Sequence, residues 1–178
     1  MFIKTSRGIV LSLLVLSGVL MASGLPGSAK ALIIPGPTPG PIGLVCTTSL
    51  TAEFGLQTTA GYISNPDGNS LYMWSYAPAS GSFQSPGPTL CVNQDDEVTI
   101  NLTNYLPEAV SIIFPGQTGV LASGNLTGLF TAEAAGCAGE PPCTPGTATY
   151  TFTAGEPGTY LYESGTEPTK QVQMGLKV

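Results

Sequence analysis

Residues 93–104 read Asn93-Gln94-Asp95-Asp96-Glu97-Val98-Thr99-Ile100-Asn101-Leu102-Thr103-Asn104, and the last eight decide the fold. Val98, Ile100 and Leu102 fall on one side of an extended chain, while Glu97, Thr99, Asn101 and Thr103 fall on the other. That two-residue period belongs to a strand with one face on a core and the other in water. Residues 104–107 turn the chain. The apolar run Ala109 to Phe114 then predicts a strand buried on both faces.

Downstream, residues 147–153 alternate again, with Ala148, Tyr150 and Phe152 opposing four threonines. Residues 158–162 and 172–178 are expected as the last two strands, with Val172, Met174, Leu176 and Val178 facing the core. Between them and the deciding stretch, residues 115–146 are rich in Gly, Ala and Pro. They are expected to form a long excursion with one short helix over 129–135.

Upstream, a first strand is expected over residues 44–56. Asn65-Pro66-Asp67-Gly68 marks a turn before the aromatic strand Leu71 to Tyr76. Ser85-Pro86-Gly87-Pro88 marks another turn. Seven to eight short strands separated by turn signals predict an all-β fold, a two-sheet Greek-key sandwich.

The beginning of the chain reads differently. Lys4 and Arg7 precede an apolar run from Ile9 to Ala22, a Gly24-Leu25-Pro26-Gly27 break and the small residues around Ala29-Lys30-Ala31. Residues 1–31 therefore read as an export signal. The apolar run is about 14 residues, short of the roughly 20 needed to cross a bilayer as a helix. The rival reading, an uncleaved anchor, is the weaker one, so no stable membrane anchor is expected after cleavage. Residues 32–43, Leu-Ile-Ile-Pro-Gly-Pro-Thr-Pro-Gly-Pro-Ile-Gly, form a Pro/Gly spacer, and residues 44–178 form the domain. Export predicts a periplasmic or extracellular location.

Once the signal is gone, only Lys170 and Lys177 face eleven carboxylates, a net charge of −9. Such a surface repels phosphate backbones, which argues against a nucleic-acid partner. All four cysteines, Cys46, Cys91, Cys137 and Cys143, lie outside the signal, and an even count in an oxidising compartment predicts two disulfides. Three pairings are possible and spacing does not select one. The short loop favours Cys137–Cys143, which leaves Cys46–Cys91. A thiolate metal site is the rival, but the spacing fits no zinc pattern.

Other chemistry is thin. The chain has no histidine, so imidazole general-base catalysis is unavailable. No Gly-rich phosphate loop follows a strand. Asn101-Leu102-Thr103 and Asn125-Leu126-Thr127 fit the N-glycosylation pattern, which polar strand ends explain equally well. Met73 and Met174 are candidate Cu(I) thioethers, though single methionines on strands more often fill cores.

Three segments together resemble the first plastocyanin-like (cupredoxin) domain of the multicopper oxidase family. Ser85-Pro86-Gly87-Pro88-Thr89-Leu90 followed by Asn93 to Asn104 is similar to that family's Pro-Gly-Pro-Thr and Gly-Asp strand pair, with Asp95-Asp96 where Gly-Asp is usual. The second segment is Leu106 to Gly116. The third runs from Phe152 to Thr166 and continues over Gln171 to Val178. The resemblance spans residues 44–178 and implies a cupredoxin-like β-sandwich.

It also implies copper, and here the chain departs from the pattern. The family's His-Trp-His-Gly is matched by Ile113-Phe114-Pro115-Gly116, and its Tyr-His-Ser-His-Thr by Tyr162-Glu163-Ser164-Gly165-Thr166. The four positions that the resemblance assigns to copper-ligating histidines are therefore Ile113, Pro115, Glu163 and Gly165. Only Glu163 carries a donor, a hard oxygen ill-suited to a centre that favours imidazole. No bound cofactor is expected, and copper enters only through the resemblance. The bland reading makes Ile113 a strand residue, Pro115 its end and Glu163 a solvated charge. The sharper one has Glu163, with Glu167 or Asp95, lining a small polar pocket.

Three functions follow. The first is an exported, non-catalytic structural or interaction module, with another exported protein or further cupredoxin domains as partners. The second is the N-terminal scaffold of a larger multicopper oxidase, of which this chain is a piece. The third is a soft-metal carrier using Cys and Met.

Overall fold

The computed structural model describes residues 46–138 and 143–178. The expected signal (1–31), the spacer (32–43) and the start of the domain lie outside the described residues. In chain order the elements are β1 (Thr47–Thr48), β2 (Glu53–Ser64), β3 (Ser70–Pro78), β4 (Leu90–Cys91), β5 (Glu97–Asn104), β6 (Leu121–Gly124), β7 (Leu126–Thr127), β8 (Ala132–Glu133), β9 (Gly146–Thr153) and the helix α1 (Pro168–Met174).

β5 alternates as its sequence demands. Val98, Ile100, Leu102 and Asn104 are buried, and Val98, Ile100 and Leu102 face Phe152, Tyr150 and Ala148 across the antiparallel pair with β9. A five-stranded sheet is built around this pair in the order β3-β2-β5-β9-β6. β2 runs parallel to β5 and antiparallel to β3, so a crossover rather than a hairpin leads from one to the other. The Asn65–Gly68 turn closes the β2–β3 hairpin, with Gly68 at φ +85°. β2 pairs with β5 only as far as Thr58 opposite Asn104. Beyond that point Thr59 to Ser64 pair with β3 alone, as a two-stranded ribbon.

The second layer is less regular. It contains the short parallel pair β1–β4 and three segments joined by single bridges, Ile113 with Glu163 and Glu163 with Lys177. Val110, Ile112, Tyr162 and Leu176 from this layer pack against Phe54, Leu56, Ile100 and Tyr150 from the large sheet. The described residues form an all-β sandwich with one small helix.

Several expected elements differ. Nine strands form among the described residues instead of seven or eight. The first strand is broken by residues 49–52, where Ser49 Oγ accepts from the Thr51 and Glu53 amides and Ala52 takes φ +51°.

Residues 109–114 are not a regular strand. Val110, Ser111 and Ile112 are buried, but side chains claim much of the backbone: Tyr76 Oη donates to the Ser111 carbonyl (2.9 Å), the Ile112 amide donates to Tyr150 Oη (3.1 Å) and Gln171 Nε2 donates to the Ala109 carbonyl (2.9 Å). Backbone pairing remains only at Val110–Ala134 and Ile113–Glu163.

The helix expected at 129–135 is instead the end of a small hairpin, β7–β8. Residues 158–162 form no strand. The expected strand over 172–178 does not form: Val172 to Met174 are the end of the helix α1, which has Pro168 in its first turn and is closed by Gly175 at φ +116°, and beyond it only Lys177 makes a bridge. Leu176 is buried, and Met174 and Val178 pack on the core.

Candidate functional site

The two segments that would share a metal do meet. Ile113 and Glu163 exchange backbone hydrogen bonds of 2.8 and 3.1 Å, and Lys177 flanks Glu163 on the other side. Directly opposed residues point to the same face, so an apolar, an acidic and a basic side chain stand in a row. Gly165 is buried beside them. A Cβ built on it would lie 2.5 Å from Ile113 Cγ2 and 3.2 Å from Ser111 Oγ. The volume a side chain at 165 would need is thus already taken by Ile113. Pro115 is exposed and opens a tight turn, with Gln117 donating to the Phe114 carbonyl (3.0 Å) and Gly116 at φ +91° against the Tyr160 ring.

This donor set does not fit the copper that the family resemblance implies. Ile113 and Gly165 offer no lone pair, Pro115 offers none from its side chain, and one carboxylate cannot replace several imidazoles. Thiolates are not at hand either. Cys46–Cys91 and Cys137–Cys143 are both disulfides, with Cα separations of 5.8 and 5.5 Å, the pairing that the short loop favoured. Among the described residues no three His, Cys, Asp or Glu side chains stand close enough to hold an ion. Met73 Cε sits against Gly175, and Met174 packs on the core.

Beside the Ile113–Glu163 row lies a polar cluster whose members, far apart along the chain, carry no shared sequence signal. Ser164 Oγ and Gln171 Oε1 are 2.5 Å apart, Gln171 Nε2 reaches the Ala109 carbonyl, and Thr166 Oγ1 and Ser111 Oγ are 3.0 Å apart. Ser111, Ser164 and Gln171 are buried and each is hydrogen-bonded, as such groups must be to avoid a desolvation penalty. The cluster ties residues 109–111, 164–166 and α1 together.

The expected polar pocket around Glu163 does not correspond to either of two clefts found among the described residues. Glu163, Glu167 and Asp95 line neither. Glu167 caps α1 through its carbonyl, and Asp95 occupies a left-handed position, φ +67°, in the turn before β5. That is the position where the family resemblance places glycine, and the backbone explains why. The larger cleft, about 260 Å³, lies between the stretch after β4 and residues 154–162, with Phe114 and Phe152 among its walls. The other, about 230 Å³, lies between β1 and β2.

Three tyrosines knit the core. Tyr162 Oη donates to the Pro88 carbonyl (2.6 Å), Tyr150 Oη to the Ala132 carbonyl (2.8 Å), and the Tyr76 and Tyr162 rings stand 5.6 Å apart. Burial pushes all three phenols well above their ordinary value, with the neighbouring tyrosines and Glu163 adding to the effect at Tyr76. α1 is held from outside by Lys170, which pairs with Glu108 and lies 5.4 Å above the Trp74 ring.

Comparison with known proteins places this arrangement. A family model for multicopper oxidase matches residues 79–177. No curated protein matches at a significant level. Among solved structures, a multi-copper oxidase from Pseudomonas thermotolerans aligns at a TM-score of 0.54 with 18% identity, over 75% of this chain and 29% of that one. A copper nitrite reductase from Nitrosomonas europaea aligns at 0.52 with 21% identity, over 74% and 40%. A laccase-like multi-copper oxidase from Ochrobactrum sp. aligns at 0.53 with 14% identity, over 74% and 27%. The chain therefore spans between about a quarter and two fifths of these structures, and the likeness establishes the cupredoxin-like fold.

Proposed function

The chain belongs to the multicopper oxidase family, and from that premise we propose that it works as an exported, non-catalytic cupredoxin-like module that binds no copper of its own. The observation that carries this reading is the state of the four positions matched to family ligands. They hold Ile113, Pro115, Glu163 and Gly165, and Ile113 fills the space in which a side chain at 165 would stand. Two disulfides and no thiol among the described cysteines are compatible with an oxidising, exported location. The module acts through contacts with another exported protein or with further cupredoxin domains.

The test is copper loading of the purified protein followed by desalting, elemental analysis and electron paramagnetic resonance. The expected result is no stoichiometric copper and no blue or trinuclear cupric signal. About one tightly held copper per chain would overturn the reading.

A second reading is favoured by the partial coverage of the structural neighbours: this chain is one domain of a longer oxidase whose copper lies in other domains. The intact mass of the protein isolated from its source separates the two. A mass at or below 18.2 kDa supports the lone module, and a much larger one supports the oxidase domain.

A further inference from the structure

The larger cleft differs in character from the family ligand positions: rings and aliphatic chains make up most of its walls, with Thr89, Asn93, Gln94, Gln117, Glu156 and Thr159 among them. Phe114 and Phe152 line it with their rings 4.9 Å apart and tilted by 44°, and Val92, Tyr160 and Leu161 line it with 39%, 39% and 60% of their surface exposed. The hydroxyls of its tyrosines are engaged elsewhere. Tyr160 Oη is already bonded to the Glu156 carbonyl and Tyr162 Oη to the Pro88 carbonyl. Two polar side chains of its lining, Thr89 and Gln117, are half-buried and make no side-chain hydrogen bond among the described residues; of the two, Gln117 has the longer reach and an amide that can donate and accept.

Charge narrows the ligand. No basic side chain lines the cleft, Glu156 is its one ionised group, and the domain as a whole is strongly acidic. An anion is repelled there, both by the nearby carboxylate and by the summed field. A concave apolar site with few polar groups is the ordinary form of a small-molecule pocket, here at the small end of the size range. From these observations we infer that the cleft binds an uncharged, largely apolar small molecule of one or two fused rings, oriented by a single polar contact to Gln117. The inference is independent of whether the chain is a lone module or an oxidase domain.

Fluorescence titration with two probes that share a ring system tests it: uncharged N-phenylnaphthylamine and anionic anilinonaphthalene sulfonate. The expected result is saturable one-to-one binding of the uncharged probe and binding of the sulfonate weaker by about tenfold, roughly 1.4 kcal/mol. Val92→Arg should weaken the uncharged probe about fivefold or more and narrow the gap between the two. Leu161→Ser, on the same wall, should also weaken it. Leu129→Ser and Phe130→Ser, on the exposed β7–β8 hairpin, should change nothing. No saturable binding, equal affinity for both probes, or loss of binding in the hairpin variants instead of the cleft variants overturns the inference.

Discussion

Ile113 and Gly165 compete for one volume, with Ile113 Cγ2 standing 2.5 Å from where a Cβ on residue 165 would lie. The contact is with a β-branched side chain, which has little rotamer freedom to move aside. Gly165→Ala should destabilise the protein by about 1–3 kcal/mol, the range for overpacking a tight site. Combined with Ile113→Ala, which removes the opposing methyl, the penalty of the alanine at 165 should largely vanish. Urea unfolding of the two single variants and the double variant reads the coupling, and strict additivity would show that the two side chains do not collide.

Gln171 is the hub of the buried polar cluster. Gln171→Leu keeps the bulk but leaves the Ser164 hydroxyl proton without its acceptor and the Ala109 carbonyl without its donor, the Ser164 oxygen keeping only the Thr166 amide. With about 1–3 kcal/mol for each buried polar group left without a partner, a total loss of roughly 2–4 kcal/mol is expected. A near-neutral result in the same unfolding assay would mean that water enters and replaces the amide.

The tyrosine core predicts an alkaline limit. Tyr76, Tyr150 and Tyr162 have folded-state values raised above the ordinary 10.0, so the unfolded chain loses these protons first. The stabilisation is complete below pH about 10 and declines as pH climbs toward the folded values. Tyrosinate absorbance from these three should therefore appear together with loss of the fold. Gradual ionisation with the fold intact would contradict the buried, bonded phenols.

The two disulfides should differ in weight. Cys46–Cys91 closes a 45-residue separation and Cys137–Cys143 one of 6. Chain-entropy arguments give about 4 kcal/mol for the first and about 2 kcal/mol for the second. Paired Ser variants, compared by denaturant midpoint, should show the larger loss for Cys46/Cys91.

The central sheet was legible because Val98, Ile100 and Leu102, like Ala148, Tyr150 and Phe152, alternate without interruption. Residues 172–178 misled for the same reason: Val172, Met174, Leu176 and Val178 alternate too, yet Pro168 and Gly175 bracket a helix, and those two stops outweigh a short period. The apolar run 109–114 looked like a buried strand. It is buried over 110–112, but Tyr76, Tyr150 and Gln171 supply bonds that a neighbouring strand would have supplied. The identities of the four family positions were readable. That Ile113 closes over Gly165 was not, because it depends on two segments far apart in sequence. The cleft escaped for the same reason, its walls coming from four separate stretches.

The hairpin of β2 and β3 outruns its sheet, and the Thr58 hydroxyl bonded to Asn104 Oδ1 (2.6 Å) stands at the boundary. On one side of that clasp Leu56 to Thr58 have β3 along one edge and β5 along the other; on the other side β2 and β3 continue as a lone pair of strands, and such pairs are marginal by themselves. The molecule thus has a hard end and a soft end. Deuterium should enter Thr59 to Ser64 through fraying at the tip, long before it reaches Leu56 to Thr58, which exchange only when the whole sandwich opens.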